Sequence, residues 1–121
     1  MEVTLFDKHG KAVAYIAADG ETIYTWDGRA AAYLHEDQVF GWNGKQLGWY
    51  ANGTIFDIYG LRSGFIRSKS PIPPQPEPAK PGKRLKHGRA GRQMRAVKPP
   101  VLWYGSSTHS LEDLLEEGLA K

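Results

Sequence analysis

Four histidines, His9, His35, His87 and His109, are the side chains best suited to hold a metal or move a proton near neutral pH. Their scatter argues against both roles, because no two stand at ligand spacing. With no cysteine in the chain, no His/Cys zinc set can be assembled either. Asp7, Asp27 and Asp57 sit near equivalent points of a repeated phrase and could crowd at one mouth. Each also lies beside a turn, where a carboxylate accepting backbone N–H groups is the better account. Ser106, Ser107, His109 and Asp113 contain the residue types of a hydrolytic triad. They have no nucleophile elbow and stand at a helix start, so capping explains them better. GKRLKHG and HGRAG lack the order of a phosphate-binding loop. No polar set converges on a reaction, so the expectation is a non-enzymatic protein without cofactor or metal.

Binding is the remaining chemistry, and charge is distributed for it. Residues 1–66 carry five basic and eight acidic groups, a net −3. Residues 67–109 carry ten basic groups and one acid, Glu77, a net +9, and residues 110–121 return to −3. Lys83, Arg84, Lys86, Arg89, Arg92 and Arg95 are the candidate contacts to phosphate, and would give salt-dependent, sequence-blind affinity for nucleic acid. No aromatic is interleaved between residues 80 and 98 to stack on bases, so a solvated linker is the stronger reading of that segment. SKSPIPPQPEPAKPG, with six prolines, could offer a groove ligand but reads better as an extended spacer.

Size and composition bound the rest. The 121 residues suffice for one small domain with an appendage, and 14 glycines with 8 prolines imply many turns. Without disulfides the aromatics must help to fill the core. No apolar run approaches the ~20 residues of a membrane helix. MEVTLFDKHG lacks the basic-then-apolar order of a signal peptide, so a cytoplasmic protein with no membrane span is expected.

What must position these residues is a repeat. Aligned on Gly10, Gly28, Gly44 and Gly60, four copies share an aliphatic residue (Leu5, Ile23, Val39, Ile55) followed by an aromatic (Phe6, Tyr24, Phe40, Phe56). Beyond each glycine stand a tiny residue (Ala14, Ala32, Gly48, Gly64) and a second aromatic (Tyr15, Tyr33, Trp49, Phe65). Asp19-Gly20, Glu36-Asp37 and Asn52-Gly53 fall between the glycines; Asp-Gly and Asn-Gly suit type I′ hairpins. Seven turns thus separate eight short antiparallel strands. The fourth copy lacks a downstream aliphatic–aromatic pair, and Leu5-Phe6 supplies it. The expected fold is all-β: a closed four-fold pseudo-symmetric ring of four β-hairpin repeats, with Leu5-Phe6 beside Phe65-Ile66 and no open edge. The tiny residues are expected to converge near the axis. The aromatic rows are expected to be core, with a shallow aromatic pocket on the axis as the alternative. Trp26 and Trp42, nearer the loop tips, are the candidate exposed aromatic surface.

The phrases IYTWDG and FGWNGKQLGW, recurring in register, resemble the four-fold β-flower domain family of bacterial proteins. The resemblance covers roughly residues 3–67. It implies the ring fold and carries no settled activity, hence no site residues to transfer. Copy one departs from the pattern, with Lys8 in place of Trp26 and Trp42 and two additional residues before the next unit.

Three regions follow: the β-ring at 1–67, a Pro-rich then basic linker at 68–99, and a C-terminal docking segment at 100–121. That last segment contains an amphipathic helix at about 110–118, with Ser110 as N-cap, Asp113 three residues on and Gly118 as its stop. Trp103, Tyr104, Leu111, Leu114 and Leu115 are the candidate partner-docking residues. So short a helix must dock on something, either its own ring or an unidentified protein partner. The functional expectation is a binding or scaffolding module. Phosphate contact through the basic segment and small-ligand binding on the ring axis are the alternatives.

Overall fold

A computed structural model describes residues 2–84, 88 and 110–119. Its strands are β1 (Val3–Phe6), β2 (Ala12–Ile16), β3 (Thr22–Thr25), β4 (Ala30–His35), β5 (Gln38–Gly41), β6 (Gln46–Ala51), β7 (Thr54–Asp57) and β8 (Arg62–Phe65). Each pairs antiparallel with the next, and β8 returns to β1 with Phe6 opposite Phe65. The sheet is therefore a closed barrel, as the incomplete fourth repeat implied. A 3-10 turn, Arg67–Lys69, leaves the barrel, and a short helix, α1 (Leu111–Glu116), packs against β2, β4 and β8.

Two kinds of turn alternate around the ring. At Gly10, Gly28, Gly44 and Gly60 the backbone adopts φ of 78°, 92°, 90° and 83°, a region open to glycine and costly for other residues. Each of these amides donates to the carbonyl three residues earlier, at Asp7, Thr25, Gly41 and Asp57. The Asp7 carboxylate accepts from the amides of His9 and Lys11, and Asp57 accepts from Tyr59 and Leu61. These carboxylates are thus turn acceptors, and Asp27 instead pairs with Arg29 at 3.0 Å. At Asn52-Gly53 both residues have positive φ (52° and 74°), as a type I′ hairpin requires. Asp19-Gly20 differs from expectation, since only Gly20 has positive φ. There Ile16 pairs with Ile23 across a longer loop, and Asp19 holds the amides of Glu21 and Thr22. The two additional residues of copy one are absorbed in that loop.

Each repeat also contains a β-bulge, invisible in composition. Leu5 pairs with Ala14 but Phe6 pairs with Ala12, so Val13 is skipped. Ala31, Leu47 and Ser63 are skipped in the same way. A bulge bends its strand and sharpens the twist, which lets strands of four to six residues close a ring. Three of the bulged residues, Val13, Ala31 and Leu47, join Leu5, Ile23, Val39 and Ile55 in one interior aliphatic cluster.

Strand alternation sends the aromatics to the opposite, outer face. There the two rows meet in register: Tyr15 pairs with Tyr24, Tyr33 with Phe40, Trp49 with Phe56, and Phe65 with Phe6. The Tyr15 and Tyr24 rings stack at 5.5 Å, and Tyr33 with Phe40 at 5.7 Å. The rows are buried, as expected of core, but they lie on the face opposite the aliphatic interior, which leaves the alternative of an axial aromatic pocket without support. The reason for the tiny residues is corrected. An added Cβ at Gly48 would fall 1.8 Å from the Phe56 carbonyl of the neighbouring strand, and at Gly64 it would meet Leu111 of α1 at 2.8 Å. Close strand crossing and the helix, rather than four converging backbones, demand those glycines.

Two stability changes should follow, read by urea unfolding. Gly64→Leu should cost ~1–3 kcal/mol by overpacking against Leu111, and Gly48→Ala at least as much. Ser63→Ala should raise stability by about 1–3 kcal/mol, because the Ser63 hydroxyl is buried without a hydrogen-bond partner where other repeats carry aliphatic residues.

Candidate functional site

The barrel interior opens at the end bearing the four glycine turns, and α1 fills that mouth. Ser110 caps the helix, its hydroxyl accepting from the Asp113 amide at 3.1 Å. The i, i+3, i+4 spacing puts Leu111, Leu114 and Leu115 on one face. They are 0%, 3% and 1% exposed and belong to the interior cluster of the barrel. Burying each stabilises by roughly 1.5–3 kcal/mol, which a two-turn helix cannot supply for itself.

The polar face of α1 is matched to the turns. The residue after each repeat glycine is Lys11, Arg29, Lys45 and Leu61 in turn. Lys11 meets Glu112 at 3.8 Å, Arg29 meets Glu116 at 3.3 Å, and Lys45 meets Glu117 at 2.8 Å. These pairs are exposed and each contributes only about 0–1 kcal/mol, so burial holds the helix and the charges set its rotation. The Arg29 guanidinium is further held by Asp27. Burial raises the Asp27 pKa, but the Thr25 hydroxyl and Arg29 outweigh it and keep that carboxyl below its ordinary value. Beside the fourth turn, where Leu61 replaces a cation, a cleft of about 450 Å³ runs between Tyr59, Lys45, Asp113 and Leu114.

Copy three is specialised to receive the helix end. Gly41 stands where copies one, two and four carry Asp7, Thr25 and Asp57, and a Cβ there would lie 2.5 Å from Gly118. Asn43 donates from its backbone to the Gly118 carbonyl (3.1 Å) and from its side chain to the Glu117 carbonyl (2.8 Å). The helix ends at Glu116 with Glu117 as its C-cap, just before Gly118 as the sequence implied, although Gly118 is absent from the positive-φ glycines. Gly118 is required by contact, its own Cβ position being 2.6 Å from the Ala31 carbonyl.

The Pro-rich segment wraps the outer wall as a strap. The Gln75 amide donates to Gly10 O and the Arg84 amide to Gly28 O, clamping both ends. Glu77 accepts from the Thr4 hydroxyl (2.8 Å) and from Arg67 (2.6 Å). Glu2 accepts from Lys80 (2.5 Å) and Lys83 (2.8 Å). These hydrogen bonds hold the Glu2 and Glu77 carboxyls below their ordinary value. Arg67 stands 5.0 Å over Phe6, and Lys80 stands 4.1 Å over Tyr15, so cations of the tail cap aromatics of the ring.

The chain matches the family model described as "4-fold beta flower protein" over residues 3–115. It belongs to the 4-fold beta flower family. The match runs beyond the ring through the strap and into α1, further than the motif resemblance over 3–67. No curated protein and no solved structure matches the chain.

In this β-flower chain the residues singled out from sequence fare unequally. Leu111, Leu114 and Leu115 come together, but on their own barrel, so they offer no free docking face. Trp103 and Tyr104 lie outside the described residues, as do Lys86, Arg89, Arg92 and Arg95. Lys83 and Arg84 turn inward to Glu2 and to the Asp27–Gly28 turn. Trp42 is only 5% exposed, its ring edge-on to Tyr33, which corrects the expectation of an exposed surface. Trp26 is half-buried, edge-on to Tyr15. Both fold back because the outer aromatic pairs need cover. Among the described residues no three His, Asp or Glu side chains gather to hold a metal. Lys11, Arg29 and Lys45 are not among the candidates that residue type alone picks out. Their signal was present, as a cation in register after three of the four repeat glycines.

Two outcomes test this arrangement. Leu111→Ala should cost about 2–5 kcal/mol in urea unfolding, as a fully buried leucine does. A carboxyl whose pKa is lowered on folding contributes stability above its ordinary value, 4.5 for Glu2, and loses it as pH falls below that range. The protection of the Gln75 and Arg84 amides, relative to their intrinsic exchange rates, should therefore fall below about pH 4.5 while barrel amides stay protected.

Proposed function

We propose that this β-flower chain is a non-enzymatic binding module whose barrel mouth receives a short, acidic, amphipathic helix, with segment 110–119 as its resident ligand. One observation carries the reading. Three cations, Lys11, Arg29 and Lys45, surround an apolar seat and each meets a different carboxylate of the helix. Apolar burial supplies affinity, and the charge ring selects orientation and rejects basic partners. A partner helix carrying the same leucine and glutamate pattern would compete for the seat. The tail's own helix competes at an effective concentration of roughly millimolar, so the free mouth is a minor state.

Of the candidate phosphate contacts, Lys83 and Arg84 are occupied within the chain, and Lys86, Arg89, Arg92 and Arg95 lie outside the described residues.

The test uses a fluorescent peptide spanning 108–121 and a full-length Leu111→Asp/Leu114→Asp chain, whose own helix cannot enter. Saturable binding to that chain, at least about tenfold weaker to the native chain, is expected, with loss in an added Arg29→Glu/Lys45→Glu background. A peptide that binds neither chain rejects the reading.

A further inference from the structure

On the outer wall, Tyr15, Tyr24 and Trp26 form a small aromatic enclosure. The two tyrosines stack face to face, and Trp26 closes the side edge-on at 6.0 Å from Tyr15. Two ammonium groups of the strap sit in it together. Lys80 Nζ lies 4.1 Å from the Tyr15 ring centre and 5.3 Å from that of Trp26. Lys83 Nζ lies 5.7 Å from Tyr15 and 5.5 Å from Tyr24. One carboxylate serves both: Glu2 Oε1 accepts from Lys80 and Oε2 from Lys83. The two lysine side chains are 27% and 42% exposed, so solvent reaches the enclosure. The Trp26 indole N–H, also at this wall, is buried without a hydrogen-bond partner.

We infer that this enclosure is a two-point binding site for linear aliphatic diamines, and that Lys80 and Lys83 are its exchangeable occupants. An aromatic face attracts a cation through its quadrupole but makes no demand on N–H groups. A carboxylate with one ammonium on each oxygen does make that demand, twice. A short diamine supplies both ammonium groups and an apolar link to lie over the rings. The strap keeps its clamps at Gly10 and Gly28 on either side, so exchange need move only the two side chains. Binding in the native chain would free Lys80 and Lys83 and loosen the strap between its clamps.

The experiment is a titration of full-length chain with 1,4-diaminobutane, followed by the Trp26 indole N–H signal in nitrogen–proton correlation spectra. Loss of that signal in Trp26→Phe assigns it. In Lys80→Ala/Lys83→Ala the shift should be saturable, and in the native chain at least about tenfold weaker, as expected for competition with tethered lysines. Butylamine should bind more weakly than the diamine, 1-butanol should leave the signal unmoved, and adding Glu2→Gln should abolish the response. Should the double variant not fold, Lys80→Ala alone is judged by the same criteria. No saturable shift in the lysine variant, equal affinity in the native chain, or butylamine or butanol matching the diamine would each overturn the inference.

Discussion

Everything in this molecule depends on the seam where Phe6 lies opposite Phe65. Closing the sheet there leaves no free edge and makes its two faces permanently unequal. One becomes an interior, the other a wall. Because strand side chains alternate with period two, a slip of one residue would send every aromatic inward and every aliphatic outward. The aliphatic–aromatic pair at each strand is therefore a two-sided instruction. Leu5, Ile23, Val39 and Ile55 take the interior, and the neighbouring aromatic of each pair goes to the wall.

That inequality creates two problems, and the tail answers both. The interior of so short a barrel is apolar to its mouth, and without cover its aliphatic side chains would face water. Three leucines of α1 provide the cover, and their burial outweighs the three exposed ion pairs around them by several-fold. The wall carries stacked rings that would otherwise form an exposed aromatic belt. Trp26, Trp42 and the cations Arg67, Lys80 and Lys83 cover these, with lysine stems adding apolar contact beneath their charged ends.

The uneven charge of the chain acquires a physical sense from this. A ring of net −3 receives a strap rich in lysine and arginine, and ring cations at the mouth receive an acidic helix. Glu2, Glu77 and Asp27 tie down the strap and the Arg29 turn, while Lys11, Arg29 and Lys45 greet α1. Among the described residues, the tail cations Arg67, Lys80, Lys83 and Arg84 are paired within the chain.

The sequence by itself determined what is local and periodic. Positive-φ glycines, the Asn52-Gly53 hairpin, the carboxylate turn acceptors and the Ser110 cap all follow from a few neighbouring residues. Closure was legible too, because a repeat lacking one half at its end and one at its start has a single economical solution. Only the tertiary structure decided which face the aromatics occupy, that Gly41, Gly64 and Gly118 make room for the helix, and that the proline segment is a strap. Those facts rest on contacts across some seventy residues, such as Lys45 with Glu117 and Glu2 with Lys80. No propensity encodes such contacts. They arise because a closed barrel presents a mouth and a wall that exist only after folding.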